Sequence, residues 1–173
     1  MALADAALLI VRLVVGLTFA AHGAQKAFGW WRGPGIEGWQ KIVASMHFQP
    51  APLWTLVSIG AELVGGLLIA SGLFTPLAAT LLIGQSVVII LKVHLPNGFW
   101  NKAGGVEFPL ALAAGVLIAL GVGPGAYSID RLIGFGLVEP ILWALLIVGL
   151  LGGVAAYGIT RIAPATQPAP QQR

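Results

Sequence analysis

The stretch Leu63–Leu91 reads LVGGLLIASGLFTPLAATLLIGQSVVIIL, 29 residues without one charged side chain. A helix that crosses the hydrocarbon layer of a bilayer takes about 20 mostly apolar residues. The run is too long for one such helix. Pro76, in Phe74-Thr75-Pro76, marks a tight turn that divides it. Outward from this stretch, the same rule gives five spans. They are about Leu3–Phe28, Leu53–Leu73, Leu77–His94, Phe108–Val122 (or from Glu107) and Pro140–Thr160, the last with Pro in its first turn. The first apolar run is too long for a signal peptide. It also carries Asp5 and no leading Lys or Arg, so it reads as a retained helix.

Composition agrees. Of 173 residues, 58% are hydrophobic, 24 are Gly and only 9% are charged, against roughly 25% charged in a soluble domain. Mean hydropathy is +0.92. A soluble domain of this size cannot hide so much apolar surface, and a disordered chain needs low hydrophobicity and high charge. The chain is read as an integral membrane protein. It has no Cys, which excludes disulfides, thiol redox chemistry, iron–sulfur ligation and Cys-based zinc sites; no metal site is expected. The net charge of +3 is read as a topology signal and not as nucleic-acid affinity.

Five spans put the termini on opposite sides. Lys26, Arg32, Lys41, Lys92, Lys102, Arg161 and Arg173 fall on the side away from the N-terminus, and Arg131 falls on the N-terminal side. Positive charge favours the cytoplasm, so the N-terminus is expected outside and the C-terminus inside. Trp30, Trp31, Trp39, Trp54 and Trp100 fall on the cytoplasmic side as an interfacial belt, and Ile36–Phe48 is amphipathic enough to lie in that interface. The tail 163–173, rich in Pro and Gln, is expected to be disordered.

Ionisable residues inside a membrane are costly, and each is a functional candidate. At 100° per residue, Arg12, Gly16, Phe19, Gly23 and Lys26 share one stripe of the first helix. Ser58, Glu62, Gly65, Ile69 and Gly72 share one on the second, Gln85 and Lys92 one on the third, and Glu107, Ala111, Ala114, Ile118 and Gly121 one on the fourth. Turning these faces inward makes a four-helix bundle. The fifth helix has no interior charge and is expected to pack outside it or on a partner.

At about 1.5 Å per residue, Arg12 and Gln85 lie roughly 10–13 Å from the N-terminal side, and Glu62 lies roughly 13 Å from the other. This midplane set reads as a buried ion pair, Arg12 with Glu62, with Gln85 satisfying leftover donors; the rival is a proton or ligand path. A second set lies toward the cytoplasmic side: His22, Lys26, Lys92, His94, Asn101 and Glu107. It reads either as snorkelling lysines plus loop anchors or as a polar ligand pocket. His22 and His94 come from different helices on the same half of the membrane, which axial haem ligation permits, but two histidines in a polar cluster carry little weight and haem is not expected. Gly33-Pro34-Gly35-Ile36-Glu37-Gly38 spells G-x-G-x-x-G but follows a membrane helix and not a strand, so it is no dinucleotide site. His47, in the long connection, reads as solvated.

The same residues read as a family. His22-Gly23-Ala24-Gln25-Lys26-Ala27-Phe28-Gly29, Ala61-Glu62-Leu63-Val64-Gly65-Gly66 and Gly72-Leu73-Phe74-Thr75-Pro76-Leu77 come in order. His94, Asn97-Gly98-Phe99-Trp100-Asn101-Lys102-Ala103-Gly104-Gly105-Val106-Glu107-Phe108-Pro109-Leu110 and Gly123-Pro124-Gly125-Ala126-Tyr127-Ser128-Ile129-Asp130 follow. Over about Leu8–Asp130 the chain strongly resembles the DoxX family of small bacterial and archaeal membrane proteins. The resemblance implies an all-α, DoxX-like four-helix transmembrane bundle. It also implies a link to membrane redox metabolism and quinone, because relatives include the membrane subunit of a thiosulfate:quinone oxidoreductase and members tied to oxidative-stress complexes. His22, Lys26, Glu62, His94, Asn101 and Glu107 occupy the motif positions. Family members commonly stop after the Asp130 segment; here a fifth transmembrane helix and a tail follow, a natural docking surface for another subunit.

The expected organisation is thus a bundle over 1–135, an added helix over 136–162 and a tail over 163–173. The expected function is a redox-associated membrane subunit holding a quinone or similar amphipathic molecule. Lys26, His22 and His94 would bond its oxygens, Glu107 would exchange protons, and a partner would donate electrons. The rivals are a structural or assembly subunit docking through the fifth helix, and a small transporter or proton path. Expected partners are the lipid bilayer and other membrane subunits or a second copy, with no nucleic acid.

Overall fold

A computed structural model describes residues 2–162; the Pro/Gln tail lies outside the described residues. Every regular element described is helical: α1 (Ala2–Phe28), α2 (Gly35–Ser45), α3 (Ala51–Ser71), α4 (Thr75–Ile89), α5 (Glu107–Val122), α6 (Ile129–Ile133) and α7 (Glu139–Ile162). A π-helical turn, Ile90–His94, prolongs α4. Four helices are long and apolar enough to cross a membrane: α1, α3, α4 with its extension, and α7. The expected fourth span, α5, is equally apolar but has 16 residues, about 24 Å of helix. It is thus shorter than the hydrocarbon layer usually requires.

The bundle is α1, α3, α4 and α5, and its core is apolar. Phe19, Ile69, Leu82 and Val116, one from each helix, are each at most 3% exposed and belong to one core cluster. The most extensive contact joins α1 to α3, and the next joins α4 to α7. Small residues make both possible. A Cβ on Gly16 would stand 2.5 Å from the Ala70 nitrogen, and one on Gly66 would stand 2.5 Å from the Ala20 nitrogen. Backbone meets backbone there, as close-packed membrane helices require.

On the other side of the bundle, α7 lies with Gly149 and Gly153 against Thr80, Gly84 and Val87 of α4, and it turns Trp143, Ile147, Leu151 and Val154 outward. A Cβ on Gly153 would fall 2.6 Å from the Gly84 carbonyl oxygen. Gly153→Leu is therefore expected to cost about 1–3 kcal/mol by overpacking, read as a lowered melting temperature in detergent. Gly152→Leu, whose Cβ meets nothing within 4 Å, is the control expected to leave it unchanged.

The connection Gly29–Pro52 carries α2, slightly shorter than the amphipathic stretch read from sequence. It packs on α1 and α3. Val43, Phe48 and Ala51 form a second small core with Trp39, Met46, Trp54 and Val88 around it. Trp39 therefore leaves the interfacial belt and faces inward.

Candidate functional site

The polar residues of the interior form two separate networks. At the N-terminal end of α1, Arg12 is 1% exposed. Its guanidinium donates through Nη1 to the Pro124 carbonyl and through Nη2 to the Tyr127 carbonyl. The carboxylate that acts on it electrostatically is Asp130, which is fully buried. Asp130 in turn accepts from the backbone N–H of Phe74 (2.6 Å) and of Thr75 (2.8 Å), capping the first turn of α4 from across the bundle. Ser128 caps α6 beside it, accepting from the Arg131 N–H at 3.2 Å.

The second network is centred on Glu62, 1% exposed in the middle of α3. Its partner is Lys26, whose ammonium donates to Oε1 in an ion pair. Gln85 Nε2 donates to the same oxygen at 2.9 Å. Glu62 Oε2 is buried and finds no hydrogen-bond partner among the described residues. The expected pairing of Arg12 with Glu62 is therefore corrected. The reason is the lean of helical side chains toward the N-terminus of their own helix. Lys26, near the end of α1, leans back along the helix, Glu62 on the antiparallel α3 leans to meet it, and Arg12 leans the same way as Lys26, which carries it away from Glu62 and toward Pro124.

Lys26 is held on a second side by Trp39, its ammonium 4.2 Å from the ring centroid. The Trp39 indole N–H donates to Ser58 Oγ at 2.7 Å, latching α2 onto α3. Beside this latch a cavity of about 330 Å³ runs between α3, α4 and α7 under α2. Lys26, Trp39, Ser58 and Gln85 line one end, and Val57, Leu81, Val88, Val93, Val148 and the glycine face of α7 line the rest. From Thr80 to Val93 it follows α4 for about 20 Å at the helical rise.

The expected cytoplasmic-side cluster does not assemble around this cavity. Only Lys26 of that set lines it. His22 is exposed and stands edge-on to Phe108, ring centroids 6.2 Å apart. His94 Nδ1 bonds the Gly104 carbonyl at 2.6 Å, and Glu107 Oε2 accepts from the Asn101 N–H at 2.9 Å. These three residues close the Leu95–Gly105 loop on itself, the anchoring alternative. Lys92 Nζ donates to Thr160 Oγ1 at 3.2 Å, tying the π-helical turn to α7. Among the described residues, no three of His, Cys, Asp or Glu gather as a metal site would require.

Several residues of the site carry little mark in sequence. Ser58 shares the Glu62 stripe, whereas Trp39 reads from sequence only as part of the interfacial belt and Asp130 only as the end of a motif, because neither stands inside an apolar span.

The family model described as DoxX matches residues 7–95. An uncharacterised membrane protein of Mycobacterium tuberculosis is 34% identical over 132 residues, which is 70% of this chain and 77% of that protein. The inner membrane protein YqjF of Escherichia coli is 29% identical over 133 residues, 76% of this chain and 95% of that protein. No solved structure matches the chain significantly.

Proposed function

The chain belongs to the DoxX family, and from that premise we propose that it is a redox-associated membrane subunit binding a quinone or similar amphipathic small molecule in the cavity beneath α2. One observation carries the reading: a long apolar cavity ends on a half-buried, hydrogen-bonding cluster of Lys26, Gln85, Ser58 and Trp39. Ligand pockets are typically apolar with a few convergent polar groups, and about 300 Å³ is enough for a small head group. A quinone head offers oxygens to a donor set and a prenyl chain to an apolar groove. The donors here are the Lys26 ammonium and the Gln85 amide, both held in place by Glu62, which stands behind them and does not line the cavity. His22, Lys92, His94, Asn101 and Glu107, none of which lines this cavity, are left out of the ligand set. In this reading the cavity end of the bundle faces the cytoplasm, the N-terminus lies outside, and electrons come from a partner subunit.

A continuous proton or solute path is less well served. Along α1, α3 and α4 the core residues Phe19, Ile69 and Leu82 stand between the Arg12–Asp130 network and the Lys26–Glu62–Gln85 network.

Trp39 and Trp54 line the cavity, so quenching of their fluorescence reports occupancy. In nanodiscs, decylubiquinone is expected to quench saturably. Gln85→Leu is expected to weaken it about tenfold by removing one hydrogen bond from a half-buried site. An alkylbenzene without oxygens is expected to compete poorly. Equal quenching by wild type and Gln85→Leu, or only a linear non-saturable response, sinks the proposal.

A further inference from the structure

A second cleft, about 500 Å³, opens on the same end of the molecule as the tryptophan belt, between the end of α4, the end of α7 and the connection from α2 to α3. It has no part in the quinone reading. Its polar lining is His47, Lys92, Tyr157, Thr160 and Arg161. All these side chains donate hydrogen bonds, and two are fixed cations. Each cation is held by a neutral hydroxyl. Lys92 reaches Thr160 Oγ1 at 3.2 Å, and Arg161 donates through Nε to the Tyr157 hydroxyl at 3.2 Å and lies over that ring at 5.2 Å.

The six acidic side chains of the chain lie elsewhere. Glu62 pairs with Lys26, Asp130 caps α4, Glu107 closes its loop and Asp5 accepts from Ala126 at 2.9 Å. Glu139 binds Trp143 on α7's first turn, and Glu37 lies exposed on α2. None of them lines the cleft. Two cations converging without an acid at the depth of lipid head groups favour an anion from outside the chain. The exposed Leu95 and the outward residues of α7 offer an apolar flank for acyl chains. The π-helical turn, a local departure from α geometry often found at binding sites, is what carries Lys92 to this edge.

We propose that this cleft binds the phosphate of an anionic phospholipid, held by Lys92 and Arg161 with the Tyr157 and Thr160 hydroxyls and His47 around it. The chemistry recognised is a phosphate; its place at the membrane interface selects the lipid-borne form over the free ion.

The test uses the full chain in neutral detergent, with retention of added phosphatidylglycerol read by native mass spectrometry and thermal protection read in parallel. Wild type is expected to retain phosphatidylglycerol in preference to phosphatidylcholine. Lys92→Gln with Arg161→Gln is expected to weaken retention about twenty-fivefold, from about fivefold per interfacial cation. Lys41→Gln with Lys102→Gln removes the same charge from exposed positions outside the cleft and is expected to retain lipid as wild type does. The melting temperature without lipid shows whether the cleft variant is folded; if it is not, Tyr157→Phe, which keeps the ring, is expected to weaken retention on its own. Equal retention in all folded variants overturns the proposal. So does protection by millimolar inorganic phosphate that equals protection by phosphatidylglycerol.

Discussion

Asp130→Ala is expected to lower the unfolding free energy by about 3–5 kcal/mol, because it removes the buried carboxylate that offsets the nearby Arg12 charge without a direct ion pair. Arg12 and Asp130 are 1% and 0% exposed, so neither charge has water to fall back on. The substitution also frees the Phe74 and Thr75 N–H groups at the start of α4, and an unmet cap of this kind costs about 1 kcal/mol. The loss falls on a junction of three segments: the end of α3, the start of α4 and the α5–α6 connection. Asp130→Asn keeps one acceptor for those amides and is expected to lie between the two. Unfolding in mixed micelles checks the order. An alanine variant within about 1 kcal/mol of wild type, the range of ordinary substitutions, would show that Arg12 is satisfied by the Pro124 and Tyr127 carbonyls alone.

Lys26→Met is expected to cost a similar amount, about 3–5 kcal/mol, because it leaves Glu62 uncompensated beneath α2. The informative variant is the double one. Lys26→Met with Glu62→Met replaces the pair by apolar groups of similar length, which is often neutral or stabilising in proteins. The double variant is therefore expected to regain most of the lost stability while failing to bind decylubiquinone. That combination separates ligand binding from folding. If the double variant stays as unstable as the single one, the pair holds up the α1–α3 packing in some way beyond charge compensation. If it binds quinone like wild type, Lys26 and Glu62 have no place in the site.

Much of the architecture was legible in the residues. Helix positions followed from apolar run length, the α3–α4 break from Pro76, and the inward faces from stripes such as Gly16-Phe19-Gly23 and Glu62-Gly65-Ile69. These are local properties, readable wherever a chain must bury its backbone hydrogen bonds in lipid. The shortness of α5 was less clear, because Val122 is followed by apolar glycine-rich sequence and only the turn at Gly123 ends the helix. The candidate site was legible in part. Glu62, Gln85, Lys26 and Ser58 stood out as polar groups in apolar helices, and three of them do meet.

What the sequence determined by itself is the class of molecule and the list of groups that lipid would not tolerate unpaired. Which of them pair was decided by the tertiary structure. Depth along a helix axis locates a Cα, but Lys and Arg side chains reach several ångströms along that axis, in a direction set by the helix they stand on. That reach joined Lys26 to Glu62 and sent Arg12 to the Pro124 and Tyr127 carbonyls. It also divided one apparent cluster into a self-closing loop, a cation of the cavity and a cation at the lipid edge. Side-chain direction and the approach of distant segments such as Trp39 and Asp130 exist only once the helices have packed.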